Sequence, residues 1–484
     1  MAQLAAIAGA LGAALLLLAR DRLMLLGGLA LLALAEAGLV ADLSDQRLSP
    51  KLAALGAGGI LGMAIGAAIF VRWPVLVTPV VLAAAPFRPP LSFGSENRYF
   101  IGVASSGQLG RLLPLYGVLG AAALALAWHS LRGRAIRPVP FVVSVPASAF
   151  LGIAALSLLW TDDLHAGENV LAYFLLPFGV LVGVVARAPY PPWMTRVLAV
   201  IAVALATLFA VVGIVQAATH ELWFFSPSVE VGNAYSSFFR VTSLFRDPSL
   251  YARHVVLGIA IVVVALLYRK LSPILALPLV GVLFAGVWFS YSQSSMAALF
   301  VVTFALAMVA GTRSLRLAAA LTALVVLLGA AGVVLVSIED HSARRFTSDR
   351  SRRVELTLKV VRDHPVEGVG LGSQPVASQA RSEQGGSPTR FVSHTTPLTV
   401  AAELGVIGFA AYLALLVGAA WLIERVRRLD PALGLGLGAV LLALFAHSLA
   451  YSGFFEDPIT WLAIAVAASF LLSRADEGAI LARD

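Results

Sequence analysis

The sequence predicts an all-α polytopic integral membrane protein, and three observations predict it. Of 484 residues, 60% are hydrophobic and 12% charged, against roughly 25% charged in an ordinary soluble domain. Apolar stretches long enough to cross a hydrocarbon core as helices recur along the whole chain. Arginine gathers in alternate short loops, as it does where those loops stay in the cytoplasm.

The apolar stretches lie at 2–19, 23–40, 52–71, 74–87, 112–130, 139–160, 169–186, 197–216, 250–268, 272–290, 295–312, 317–337, 398–423, 431–452 and 458–473. They predict about 14 transmembrane helices, roughly 12 to 15, in a single transmembrane domain over residues 1–484. Segment 74–87 is short and holds Pro74 and Pro79, which makes it a weak candidate for a separate crossing. The first stretch is followed at once by Arg20, Asp21 and Arg22 and the chain re-enters, unlike a cleaved leader. Glu36 is the main charge expected inside the bilayer, and no internal repeat is evident.

The chain has no cysteine, hence no disulfide and no thiolate metal site. Its formal charge of +8 resides in arginines at helix ends. That pattern is topology; a nucleic-acid role would need a soluble basic domain, and none is present.

The basic loops, among them those with Arg20 and Arg22, with Arg132, Arg134 and Arg137, and with Arg425, Arg427 and Arg428, belong in the cytoplasm of a cytoplasmic (inner) membrane protein. Segments 88–111, 161–168, 217–249, 291–294, 338–397 and 453–458 then face outward. Two of these, 217–249 and the large 338–397 loop, are rich in arginine, against the topological bias. Most such charges form a solvated, salt-bridged surface. Some are expected to bind an anion, because the planar guanidinium fork suits phosphate. The 338–397 loop, which includes Arg344 and Arg345, is the expected catalytic loop.

In 236–258, Arg240 and Arg246 come to the membrane boundary, within reach of a lipid head group, before Asp247-Pro248-Ser249 starts a helix. Arg253 and His254 lie one turn inside that helix and must face protein, a cavity or the interface. In 348–375, a helix carrying Val354, Leu358 and Val361 on one face ends at Asp363-His364-Pro365, since proline disfavours helix in the residue before it. Gly368, Gly370 and Gly372 then make a turn. No strand precedes GVGLG and no lysine follows, so it is no nucleotide loop. His394 stands at the mouth of a helix starting near Leu398, with Glu403, Gly405 and Gly408 in its first turns. Such a histidine is either a hydrogen-bonded structural residue or, titrating near neutrality, a general base. His341, His364 and His394 share the outer face with Asp363, Glu367 and Glu403 but lack ligand spacing, so no metal is expected. No GxSxG elbow supports a nucleophilic serine.

Six stretches, in order, carry a resemblance: SLLWTDD (157–163), RVTSLFRDPSLYA (240–252), YSQSSMAALF (291–300), RVELTLKVVRDHPVEGVGLG (353–372), SHTTPLTVAAELGVIGF (393–409) and HSLAYSGFFEDPITWLA (447–463). From about residue 70 onward the chain resembles the O-antigen ligase and polymerase superfamily of bacterial membrane glycosyltransferases. It departs from the family pattern at Ser243 and Ser249, where glycine and asparagine are usual, at Ser295 for arginine, at Thr357 for tryptophan and at Thr395 for asparagine. The resemblance implies a GT-C-type architecture and transfer of a glycan from a polyprenyl (undecaprenyl) diphosphate donor to a glycan, lipid or protein acceptor, as in lipopolysaccharide and other envelope polysaccharide synthesis. It implies diphosphate-binding arginines at Arg240 and Arg353, with Arg352 as substitute and Arg246 nearby, a general base at His394, and support from Glu403 and His364. No cofactor is implied, and membrane lipids are the surroundings. A ligase is favoured slightly over a polymerase. A transporter of an anionic lipid or solute is the reading from another class, and it predicts midplane charges and broken helices in symmetric halves.

Overall fold

The computed structural model describes residues 1–43, 50–87, 112–223, 225–339, 350–382, 387–451 and 453–481. The outward segment 88–111 and residues His341, Arg344 and Arg345 lie outside the described residues. Every regular element among those described is helical. The first half comprises α1 (Ala2–Leu18), α2 (Arg22–Leu43), α3 (Pro50–Arg72), α4 (Val77–Ala84), α5 (Leu113–Leu131), α6 (Phe141–Leu156), α7 (Leu164–Val170), α8 (Leu176–Val185) and α9 (Met194–Thr219). The second comprises α10 (Pro227–Ala234), α11 (Pro248–Leu267), α12 (Pro273–Phe289), α13 (Gln293–Ala310), α14 (Arg313–Glu339), α15 (Arg350–Asp363), α16 (Gln374–Ala380), α17 (Thr396–Leu429), α18 (Pro431–Ser448) and α19 (Pro458–Leu481).

The protein is an all-helical, multi-pass membrane protein. Among the described residues, ten helical spans are long and apolar enough to cross a membrane, or up to 11 if one bent pair counts as a span, and α1 and α12 are shorter apolar helices. Every expected apolar stretch coincides with helix. The bent pair explains the weak segment 74–87: after Trp73 the chain turns by 116°, and Pro74 opens a new short turn in place of continued helix. Helices α7 and α8 form one span through a π-helical turn at Leu171–Leu175.

Three membrane helices begin at Asp-Pro. Asp247 Oδ1 accepts the backbone N–H groups of Ser249 and Leu250, Asp430 Oδ1 accepts that of Leu433, and Asp457 Oδ1 accepts that of Ile459. Each proline sits where the helix has no N–H partner to lose, and each carboxylate takes orphan donors.

One end of the bundle collects basic loops. Buried Arg187 donates to the carbonyls of Leu16 and Ala19 at the end of α1 and of Gly183 in α8. Arg137 pairs with Asp476 at 2.6 Å, and Arg20 lies 4.2 Å above the Phe141 ring. The opposite end collects segments 157–168, 216–223, 225–249, 290–295, 350–382, 387–397, 449–451 and 453–458.

Candidate active site

Position 405 divides α17. Gly405 has φ 60° and ψ −165°, a conformation reserved for glycine, so the helix breaks and the chain re-enters with Val406 N–H donating to Pro365 O. The 365–374 turn lies against this break. Val369 N–H and Gly370 N–H donate to the carbonyls of Ala402 and Glu403. Gly370, at φ 86°, passes so close to Thr161 that an added Cβ would stand 2.4 Å from its Cα. Thr161 Oγ1 donates to Leu371 O, and Ser373 Oγ accepts the Asp163 N–H.

Below the turn, Gln374 joins α15, α16 and the 391–394 strand of chain. Its Nε2 lies 3.0 Å from Thr357 Oγ1 and from Phe391 O, and its Oε1 accepts the Ser393 N–H at 3.0 Å. Glu403, buried, accepts the N–H groups of Gln374 and Gly372. The small Thr357 is fully buried and leaves Gln374 room for that contact. Glu403 therefore holds the backbone of the 365–374 turn.

His394 is at the tip of this assembly, in the left-handed region at φ 55°, which histidine tolerates better than most non-glycine residues. Arg353 Nη1 donates to His394 Nε2. Tyr451 lies with its ring centroid 6.2 Å from that of His394. Burial first, then the charges of Arg353 and Arg350, push the His394 ring down to about 4, while Asp247 pulls it up. The ring is therefore neutral near pH 7.

Arg240 approaches from the 217–249 segment. Asn233 clasps its backbone N–H and carbonyl, and its Nε donates to Ser290 O at 3.3 Å. Burial pushes its guanidinium below its ordinary value, against Asp247 and Tyr451, which pull the other way. Asp247 thus acts on both Arg240 and His394, and Tyr451 acts on Arg240 and lies beside the His394 ring. Ser243 supports this segment at φ 52°, the conformation that a glycine favours, held by Gln216 and by its own hydroxyl on Phe209 O.

Three expected residues are placed elsewhere. Arg352 turns to Ser382 Oγ at 3.3 Å, Arg246 is exposed, and His364 pairs with Glu367 at 3.7 Å on an exposed surface. His364, just beyond the end of α15, is eleven residues past Arg353, about 16 Å along the helix axis. Arg350 and Tyr451 join the site without having been singled out from the sequence. The i, i+3 spacing of Arg350 and Arg353 was the available signal for the first. Among the described residues, no grouping of three or more His, Asp or Glu could hold a metal.

Beneath the site is a second polar group. Arg253 pairs with Asp457 at 2.6 Å, their side chains 3% and 0% exposed. Next to them Ser294 Oγ meets His447 Nε2 at 3.1 Å. The bilayer end of the bundle is thus less free of charge than its composition suggests. An arginine one turn inside an apolar helix needs a counter-ion, and the acidic GFFEDP turn is where it finds one.

Residues 249–413 match the protein-family model described as O-antigen ligase. The match begins at the start of α11 and ends inside α17, so it takes in Arg353, His394 and the broken helix. Over that stretch, about a third of the chain, the protein is similar to the O-antigen ligase family. The match supports a function of the membrane O-antigen ligase or polymerase type. No curated protein matches the chain. Arg240 lies just before the matched stretch and Tyr451 beyond it.

Proposed function

We propose that the protein transfers a glycan from a polyprenyl diphosphate carrier to an acceptor hydroxyl at the outer face of the cytoplasmic membrane, without a metal and with inversion. The observation that carries this reading is the contact of Arg353 with the neutral His394, with Arg240 brought from a distant segment to the same Asp247 and Tyr451. Arg240 and Arg353 bind the diphosphate and stabilise the charge that develops on it as the glycosidic bond breaks. His394 Nε2 takes the proton of the acceptor hydroxyl, and the freed oxygen attacks the anomeric carbon. The bond to the diphosphate oxygen breaks with its electron pair, and one displacement inverts the centre. The arginine bias of the opposite end supports an outward-facing site. An apolar groove of about 530 Å³, lined by Leu415, Leu441, Phe445 and Phe454 among others, offers the polyprenyl tail a berth. Phe454 adjoins the site through its N–H on Thr396 Oγ1.

The acceptor reading leans to a ligase, because the large loop is single and late. A polymerase, which extends a second lipid-linked repeat, is the alternative that product mass separates.

The test is transfer in sealed right-side-out vesicles, with donor and acceptor supplied outside and chelator present. Wild type is expected to release polyprenyl diphosphate and extend the acceptor. His394→Gln should lower the rate about 10²- to 10⁴-fold, and Arg240→Gln or Arg353→Gln about 10²- to 10³-fold. Retained anomeric configuration, or variants as fast as wild type, would overturn the mechanism. Accumulation of donor inside the vesicles with no new glycosidic bond would favour transport.

A further inference from the structure

The lone pair that is to take the acceptor's proton is already engaged. Arginine carries only donors, so in the Arg353–His394 contact Nε2 accepts. A neutral imidazole has one such nitrogen, so its proton is on Nδ1. In this arrangement the ring has no free basic position.

The charged and titratable groups facing the ring are Arg353 and Arg350 from α15, Asp247 from the start of α11 and Tyr451 from the 449–457 turn. The two arginines share one face of α15. A diphosphate oxygen, being charged, is a stronger partner for a guanidinium than a neutral ring nitrogen. We infer that the donor itself switches on the base: its diphosphate draws Arg353 off His394 Nε2, with Arg350 as a further diphosphate ligand. This rests on the reading of His394 as base and of the arginines as diphosphate ligands.

The exchange balances. No proton moves when Arg353 changes partner; Nε2 gains a free lone pair while Nδ1 keeps its hydrogen. The acceptor's proton then goes to Nε2. The resulting imidazolium stands beside the departing polyprenyl diphosphate, which leaves with the bonding electron pair and one more negative charge than it bore in the donor, and that charge offsets the imidazolium. Without donor, two arginines oppose protonation of the ring and one blocks it. With donor, their charges are neutralised and the base strengthens. The acceptor is activated only when a glycan is present to receive the attack, so productive binding is ordered, donor first.

The test uses the full chain in lipid nanodiscs with ¹⁵N-labelled histidine and inorganic diphosphate as probe, the His394 signals being those absent from His394→Gln. Saturating diphosphate is expected to shift the Nε2 signal and raise the titration midpoint by about one unit or more, tenfold tighter proton binding. Arg353→Gln should show a raised midpoint without diphosphate and little further response. Arg350→Gln should show a smaller rise, and it serves if Arg353→Gln does not fold. The acid limb of kcat should lie at higher pH than that of kcat/KM for the donor, since the first reports the donor-bound ring. If calorimetry detects diphosphate binding while the His394 shift and titration stay unchanged, or if diphosphate does not bind, the inference is overturned. Full transfer by His394→Gln would instead overturn the underlying assignment of the base.

Discussion

His394 is under two constraints at once: a left-handed backbone and a ring that must stay uncharged beside two arginines. The second has a consequence for stability. In the unfolded chain the ring titrates near 6.5, whereas in the folded protein it is pushed down to about 4. Between those values the unfolded chain binds more protons, so this contribution to stability is lost as pH falls from about 6.5 towards 4. Wild type should therefore lose more of its thermal midpoint over that window than His394→Gln does. Parallel profiles would show that the ring is not held neutral by its surroundings. Ser243 makes the complementary point about resemblance. Its departure from glycine looks disruptive in the sequence, yet the chain keeps the conformation that glycine would serve and adds hydrogen bonds through Gln216 and Phe209.

At the scale of elements, the site depends on a helix that stops and restarts. The Asp-x-Pro break and the Gly-x-Gly turn were legible as local signals, because proline and glycine act on their own backbone. Their docking was not legible. That Gly370 lies against Thr161, and that the turn inserts beside the Gly405 break, involves residues brought together by helices far apart in sequence. An added Cβ at Gly405 would stand 2.0 Å from Val366 O. Gly405→Ala should thus cost about 1 to 3 kcal/mol and lower transfer, measured by thermal unfolding alongside the assay. Gly281→Ala on α12, where an added Cβ meets nothing within 4 Å, is the control and should be neutral or slightly stabilising. If both variants unfold alike, the break is not a strained, glycine-specific feature.

Across the whole molecule, the Arg253–Asp457 pair ties α11 to the turn before α19, and that turn in turn holds the His394 helix. Leu449 O accepts from Thr395 Oγ1, while the N–H groups of Gly453 and Phe454 donate to Thr396 Oγ1. Removing one buried partner leaves the other charge uncompensated. Asp457→Leu alone should therefore destabilise by about 3 to 5 kcal/mol, and Arg253→Met with Asp457→Leu should recover much of that. Equal losses in the single and double variants would show that the pair itself, with its link to the turn, carries the stability.

Hydropathy, arginine placement and the Asp-Pro starts are properties of contiguous residues, and membrane helices form from contiguous residues. The sequence by itself therefore determined the helical membrane class, the positions of its helices and the segments in which His394, Arg240 and Arg353 lie. Which arginine reaches the histidine was decided by tertiary structure. Arg352 and Arg353 are neighbours in the chain, but successive side chains on a helix point about 100° apart. Packing of α15 against α16 and the start of α17 turns Arg353 to His394 and Arg352 to Ser382. The same packing brings in Arg350 and Tyr451 and buries Arg253 against Asp457, because a contact across folded helices depends on distances that spacing along the chain does not encode.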